Sequence, residues 1–311
     1  MSQNTMTTVR FSEYGPPTVL TAAQVERPTP GRGELLVRVR ATAVHPFDTK
    51  LRAGHLQAFM PVPLPHTPGI DFAGVVESAG PEVAGFAAGD AVYGRGSSAY
   101  AEYVVAKLDA VALMPATLTF EAAATVPVGA GTAWTALDTA AVEPGQQVLI
   151  HGGAGGVGLF AVQLAHHRGA LVTATTSAAH AEFVRSLGAD VVIDYTSARF
   201  EETVKDQDAV IDTVGGEVLD RSWAVLKKGG ILATIAGQPS ASTAREHEAR
   251  AASVQGTADR ERLTELGRLI DSGAVSVEVA RVFPLLDAAG AHTLSETGHG
   301  RGRIVLQVAD A

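Results

Sequence analysis

The stretch His151-Gly152-Gly153-Ala154-Gly155-Gly156-Val157-Gly158 stands directly after the largely apolar run Gln147-Val148-Leu149-Ile150 and directly before an amphipathic stretch from Leu159 to His167. Strand, glycine turn and helix follow one another without a gap, and Gly153, Gly155 and Gly158 satisfy G-x-G-x-x-G. In that pattern the glycines permit a tight turn, close approach of backbone to a pyrophosphate, and close packing of helix on strand. The free N–H groups that open the helix then meet phosphate oxygens with a favourable dipole. The flanks make this a dinucleotide-binding turn rather than an ordinary tight turn.

Outward from the turn, apolar runs alternate with alanine-rich helical stretches: Val148 to His151, Leu171 to Thr176, Val191 to Asp194, Ala209 to Val214 and Ile231 to Ala236. Such βαβ alternation predicts a doubly wound parallel sheet covered on both faces, an α/β Rossmann fold. The polar stretch Gln238 to Arg250 reads as a flexible loop. Before about Phe120 the chain is β-rich, with runs Glu34 to Ala43, Ala73 to Ser78, Asp90 to Tyr93 and Ala101 to Val105 between turn residues. The four prolines of Pro61-Val62-Pro63-Leu64-Pro65-His66-Thr67-Pro68 exclude helix and central strand, so this segment is expected to be a stiff loop. Near the end, Arg303 to Val308 reads as a closing strand compatible with either domain.

The length of 311 residues suggests two domains. A net charge of −9 opposes attraction to nucleic acid or anionic membrane, and 5% aromatic residues offer little for base stacking. With no cysteine, disulfides, thiolate metal sites and sulfur nucleophiles are excluded. No secretion-signal profile opens the chain and no apolar run approaches a membrane span, so the expectation is a cytoplasmic protein.

Where the fold uses NAD, the second strand ends in a carboxylate that bonds the ribose 2′-hydroxyl. Here that strand ends Thr175-Thr176-Ser177. A serine hydroxyl donates to a 2′-phosphate that a carboxylate would repel, and His180 adds potential positive charge, so NADPH is the expected cofactor. Ser177 also suits a helix N-cap, and the two roles are compatible.

The glycine run, Pro68-Gly69-Ile70-Asp71-Phe72-Ala73-Gly74-Val75-Val76, Gly89-Asp90-Ala91-Val92-Tyr93 followed by Ala99-Tyr100-Ala101-Glu102-Tyr103, and the ending Gly302-Arg303-Ile304-Val305-Leu306 together resemble zinc-independent medium-chain dehydrogenases/reductases. More narrowly they resemble the quinone oxidoreductases related to zeta-crystallin. The resemblance implies a GroES-like substrate domain over 1–122, a Rossmann domain over 123–272, and a return segment, 273–311, that completes the first. It also implies an enzyme: NADPH-dependent reduction of small quinones or α,β-unsaturated carbonyls, in a homodimer. Carried over by position, Thr132 approaches the nicotinamide end, and Ala154, Gly155, Gly156 and Val157 hold the pyrophosphate. Ser177, His180 and Tyr195 surround the adenosine phosphate, Val214 and Ala236 contact ribose and carboxamide, and Arg303 adds a cofactor contact where relatives often have Lys.

Two departures bear on chemistry. The common Asn-Pro-x-Asp reads His45-Pro46-Phe47-Asp48, and Lys50 stands where these reductases often have Tyr. The zinc-ligand motif Gly-His-Glu reads Gly69-Ile70-Asp71, and isoleucine does not bind zinc, so no metal is expected. Without a Lewis acid, conjugated acceptors remain accessible because hydride addition delocalises charge onto an oxygen that hydrogen-bond donors stabilise. Lys50 and His45 are the candidate donors, with water the alternative. The same departures keep open a catalytically quiet NADPH-binding sensor or structural protein.

Overall fold

The structure, a computed structural model, describes residues 4–256, 258–298 and 300–308. It divides into two compact units, one formed by Met1–Val128, Ala258–Asp271 and Val277–Ala311, the other by Gly129–Thr257 and Ser272–Ser276. In the first, β1 (Thr5–Arg10) and β2 (Thr21–Glu26) form an antiparallel ribbon. They are followed by β3 (Glu34–Ala43), β4 (Asp71–Ala79), β5 (Ala91–Arg95), β6 (Tyr103–Lys107) and β7 (Val111–Leu113). Valine-rich strands form because β-branched side chains fit a pleated, half-buried surface. Here they close over a core that includes Phe11, Leu35, Phe72 and Tyr100, all fully buried. Each such side chain contributes about 1.5–3 kcal/mol of hydrophobic stabilisation. Residues 61–68 carry neither helix nor strand, as their prolines require, and are tied back where His66 bridges Phe11.

The second unit holds β8 (Gln147–Ile150), β9 (Leu171–Thr176), β10 (Val191–Asp194), β11 (Gln207–Asp212), β12 (Leu226–Thr234) and β13 (Arg250–Ser253). Their order is β10-β9-β8-β11-β12-β13, and every pairing is parallel. This is the doubly wound order 3-2-1-4-5-6, with the direction of winding reversing between β8 and β11. Strand and helix side chains such as Leu149, Val210, Leu232, Phe200 and Trp223 pack one cluster of its core.

The chain then returns to the first unit with β14 (Val279–Pro284) and β15 (Arg303–Gln307). The first unit's large sheet runs β14-β15-β3-β4-β5-β7, with β6 also on β3. The closing strand, ambiguous from its sequence, is thus settled by antiparallel pairing of Val305, Leu306 and Gln307 with Ala43, Thr42 and Ala41.

Two expectations need correction. The stretch expected as a loop, Gln238 to Arg250, contains a helix, Ala241–Glu246, capped by Ser240 Oγ accepting from the Thr243 amide at 3.2 Å. Only Ala244 of that helix is buried, so no apolar period betrays it. The helix Arg260–Asp271, placed by sequence in the 123–272 domain, clusters with the first unit. The reason lies in specific bonds: Tyr93 Oη donates to the Leu263 carbonyl at 2.5 Å, and Asp271 accepts from Thr117 Oγ1 at 2.8 Å.

Candidate functional site

The glycine turn occupies the carboxyl end of β8. Gly153, Ala154 and Gly158 are buried, while Gly155, Gly156 and Val157 are half-exposed. A Cβ on Gly153 would press on Ala174 Cβ at 3.0 Å and Val184 Cγ1 at 3.1 Å, and one on Gly158 would run into the Gly152 carbonyl. A Cβ on Gly155 would meet only the Gly152 carbonyl oxygen, at 3.3 Å. The first and third glycines are therefore explained by the fold itself, whereas the second leaves space that a ligand would need. The helix Gly158–His167 has no side-chain cap and no acid in its first turn. An uncapped helix start beside an open glycine suits a pyrophosphate on both steric and electrostatic grounds.

At the ends of β9 and β10 the structure gathers the residues expected around the adenosine phosphate. Asp194 pairs in register with Thr176, and the Tyr195 amide donates to the Thr176 carbonyl at 3.1 Å, which sets Tyr195 beside Ser177. Ser177 precedes the short turn Ala178–His180 and its side chain makes no capping bond. Tyr195 is exposed and Ser177 and His180 are half-exposed. Sequence reasoning missed a neighbour here: the Asp194 carboxylate accepts from Thr196 Oγ1 at 2.7 Å and Ser197 Oγ at 2.9 Å. These bonds, with one from the Ala178 amide, hold it below the usual carboxylate range and engage its charge within its own corner.

Val214 and Ala236 lie just past the ends of β11 and β12 rather than within them. Both are set by a buried Asp212, unmarked in the sequence reading. Its Oδ1 accepts from the amides of Val214 at 2.9 Å and Gly215 at 3.0 Å, and its Oδ2 from Thr234 Oγ1 at 2.7 Å. Thr234 Oγ1 in turn accepts from the Ala236 amide at 3.0 Å. One carboxylate thus shapes both strand exits. Thr132 lies on the helix Val126–Thr139, nearly buried, where its side chain abuts Gly256.

The first unit holds the other expected residues. The helix Pro46–Arg52 opens at His45, whose backbone amide donates to Asp48 Oδ2 at 2.9 Å, and a proline follows at the first helical position. Asp48 Oδ1 accepts from the Gly69 amide at 3.2 Å. Gly69 itself has φ +101°, and a Cβ there would strike Tyr100 at 2.6 Å, so only glycine fits. His45 is 3% exposed. Its Nδ1 lies 2.6 Å from Arg303 Nη1 and its Nε2 3.1 Å from Asp71 Oδ2. A guanidinium only donates, so Nδ1 is the acceptor and the ring proton sits on Nε2. Asp71, fully buried, accepts from the Val128 amide at 2.9 Å. Burial pushes the Asp48 carboxyl above its usual range, partly offset by His45, and burial lowers Arg303, partly offset by Asp71 and Asp48.

This cluster corrects two site expectations. His45 does not stand as a solvent-facing donor, because it is buried, its Nδ1 is engaged by Arg303, and its Nε2 lies against Asp71 without forming a hydrogen bond. Arg303, expected as a cofactor contact, is 6% exposed and directs its guanidinium at His45. Neither arrangement was visible in the sequence, since the partners lie 258 residues apart. Lys50, in contrast, is exposed on the last turn of its helix. Among the described residues, no group of three or more His, Cys, Asp or Glu is placed to hold a metal ion, and no helix is long and apolar enough to cross a membrane.

Comparison with known proteins agrees with this architecture. Residues 31–116 match a family profile described as an alcohol dehydrogenase GroES-like domain, and residues 187–306 one described as a zinc-binding dehydrogenase. The chain is 33% identical to an NADPH-dependent alkenal/one oxidoreductase of Arabidopsis thaliana, over 95% of this chain and 78% of that protein. It is 31% identical to a quinone oxidoreductase of Sus scrofa, over 96% of each. The solved quinone oxidoreductase of Coxiella burnetii superposes with a TM-score of 0.90 at 34% identity, covering 98% of this chain and 100% of that one. With a GroES-like unit, a parallel 3-2-1-4-5-6 sheet and likeness over nearly its whole length, the chain belongs to the quinone oxidoreductase family of medium-chain dehydrogenases/reductases.

Proposed function

We propose that this protein reduces small quinones or α,β-unsaturated carbonyls at the expense of NADPH. The observation that carries the reading is the glycine turn with its open middle glycine, in a chain alike along nearly its full length to alkenal/one and quinone oxidoreductases. Gly155, Gly156 and Val157 would hold the pyrophosphate, and Ser177, His180 and Tyr195 the adenosine phosphate. Thr132, Val214 and Ala236 would meet the ribose and nicotinamide end. When bound, NADPH supplies the hydride. The Lys50 ammonium is the candidate donor to the oxygen on which negative charge develops, its stem being exposed and free to reorient. His45 acts at one remove, fixing the start of the helix that carries Lys50. Ile70 at a zinc-ligand position and the Arg303 guanidinium amid Asp48, Asp71 and His45 support a reaction without metal. The same reading takes the enzyme as a cytoplasmic homodimer, which fractionation and light scattering check.

The test is oxidation of NADPH, followed optically, with a panel of small quinones and enones, alongside metal analysis and chelator treatment. Turnover insensitive to chelator is expected, with Lys50→Met lowering kcat while leaving thermal stability unchanged. Saturable NADPH binding without turnover of any acceptor would overturn the enzymatic reading in favour of a quiet coenzyme-binding protein.

A further inference from the structure

His151 sits at the head of the glycine turn and is 1% exposed, yet the coenzyme reading assigns it nothing. Its ring packs edge-on against Phe200 with centroids 4.5 Å apart. Nδ1 lies 3.1 Å from Thr175 Oγ1 and Nε2 3.0 Å from Ser222 Oγ. The direction of every bond follows from donor counting. Ser222 Oγ donates its single proton to the Val218 carbonyl at 2.6 Å, so toward His151 it accepts, which puts the ring proton on Nε2. Nδ1 is then an acceptor and takes the Thr175 hydroxyl proton. That leaves the Thr175 oxygen to accept from the Gly152 amide at 3.3 Å, while the Thr175 carbonyl accepts from the Gly153 amide at 2.9 Å.

A single ordered chain therefore runs from the Gly152 amide through β9 and the imidazole to the helix Glu217–Ser222. The ring must be uncharged for this order to hold. The charged groups around it, Asp212, Arg221 and Glu201, are outweighed by burial, which lowers its pKa to about 4.

We propose that His151 is a positioning residue for the phosphate-binding turn: its neutral ring aligns Thr175, which orients the Gly152 and Gly153 amides and thereby sets coenzyme affinity. The inference rests on the NADPH reading above. A ring that merely fills space would need no nitrogen, and His151→Phe keeps the ring and its packing on Phe200 while removing both bonds. His151→Asn returns an acceptor near the place of Nδ1 without the link to Ser222.

Affinity is read by fluorescence titration with NADPH, kcat at saturating coenzyme, and local order by amide exchange of residues 151–158 in the coenzyme-free protein. His151→Phe is expected to raise the NADPH Kd about tenfold, what two lost hydrogen bonds are worth, with kcat within about twofold and faster exchange confined to the turn. His151→Asn is expected to recover most of the affinity. An unchanged Kd in His151→Phe, an Asn variant as impaired as the Phe variant, or exchange accelerated throughout the unit would overturn the proposal. Should the wild-type chain bind no NADPH, the coenzyme reading fails and this proposal with it; where the wild-type chain binds NADPH, exchange at the turn left unchanged in His151→Phe overturns this proposal alone.

Discussion

Replacing Gly158 and Gly155 by alanine, one at a time, separates packing from coenzyme binding within one turn. At Gly158 the new Cβ would overlap the Gly152 carbonyl oxygen, approach its carbon to 2.7 Å, and reach Gly153 Cα at 3.0 Å. All three are backbone atoms of a turn anchored to β9 through the Gly153 amide, so none yields by a rotamer change. The cost belongs at the upper end of overpacking, about 3 kcal/mol or more. At Gly155 the only neighbour is the Gly152 oxygen at 3.3 Å, and the residue is not at positive φ. A shift of a few tenths of an ångström relieves it, and alanine narrows the unfolded ensemble, so the net change stays within about 1 kcal/mol. Yet that methyl stands over the half-exposed face where phosphate oxygens would lie. Losing one charge-assisted hydrogen bond to them raises the NADPH Kd roughly 10- to 100-fold. Urea unfolding followed by circular dichroism and NADPH titration give the two readouts. The expected result is a midpoint lowered by about 1 M for Gly158→Ala and an unshifted one for Gly155→Ala with weakened binding. Equal destabilisation by both, or wild-type NADPH affinity in Gly155→Ala, would refute the division of roles.

Further outcomes follow from the same geometry. Ser177→Asp adds a carboxylate where the 2′-phosphate is proposed to sit and should weaken NADPH about tenfold more than NADH, measured as the ratio of the two Kd values; equal weakening would remove Ser177 from the phosphate pocket. Arg303→Met strips the cation from buried Asp48, Asp71 and His45 and should cost about 3–5 kcal/mol in urea unfolding, partly restored by adding Asp71→Asn. Burial holds His151 at about 4 and His292 at about 3, both below their ordinary value of 6.5. The unfolded chain therefore binds more protons as pH falls below 6.5, and stability, full above that pH, drops by up to about 1.4 kcal/mol per pH unit for each histidine. Asp48, raised by burial, acts with the opposite sign near its own titration. A urea midpoint that stays level from pH 7 to 5 would contradict this, and His151→Phe should flatten the slope.

What the sequence determined by itself was local and periodic. The glycine turn, the βαβ alternation and the proline loop are each encoded within a few neighbouring residues, where φ preferences and side-chain period act directly. The approach of Ser177 to Tyr195 was nearly legible too, because consecutive parallel strands place their carboxyl ends side by side. Tertiary structure decided where charge is buried and which bonds it makes. His45 and Lys50 stand in one short helix region, but only the arrival of β15 and Asp71 turns the first into a locked, internal group while the second stays exposed. Asp212 and His151 likewise look unremarkable in sequence, and their roles come from Thr234 and Ser222, which lie 22 and 71 residues away. The physical reason is that a polar group's state depends on desolvation and on the partners that satisfy it, and both are properties of the packed chain, not of the residues beside it.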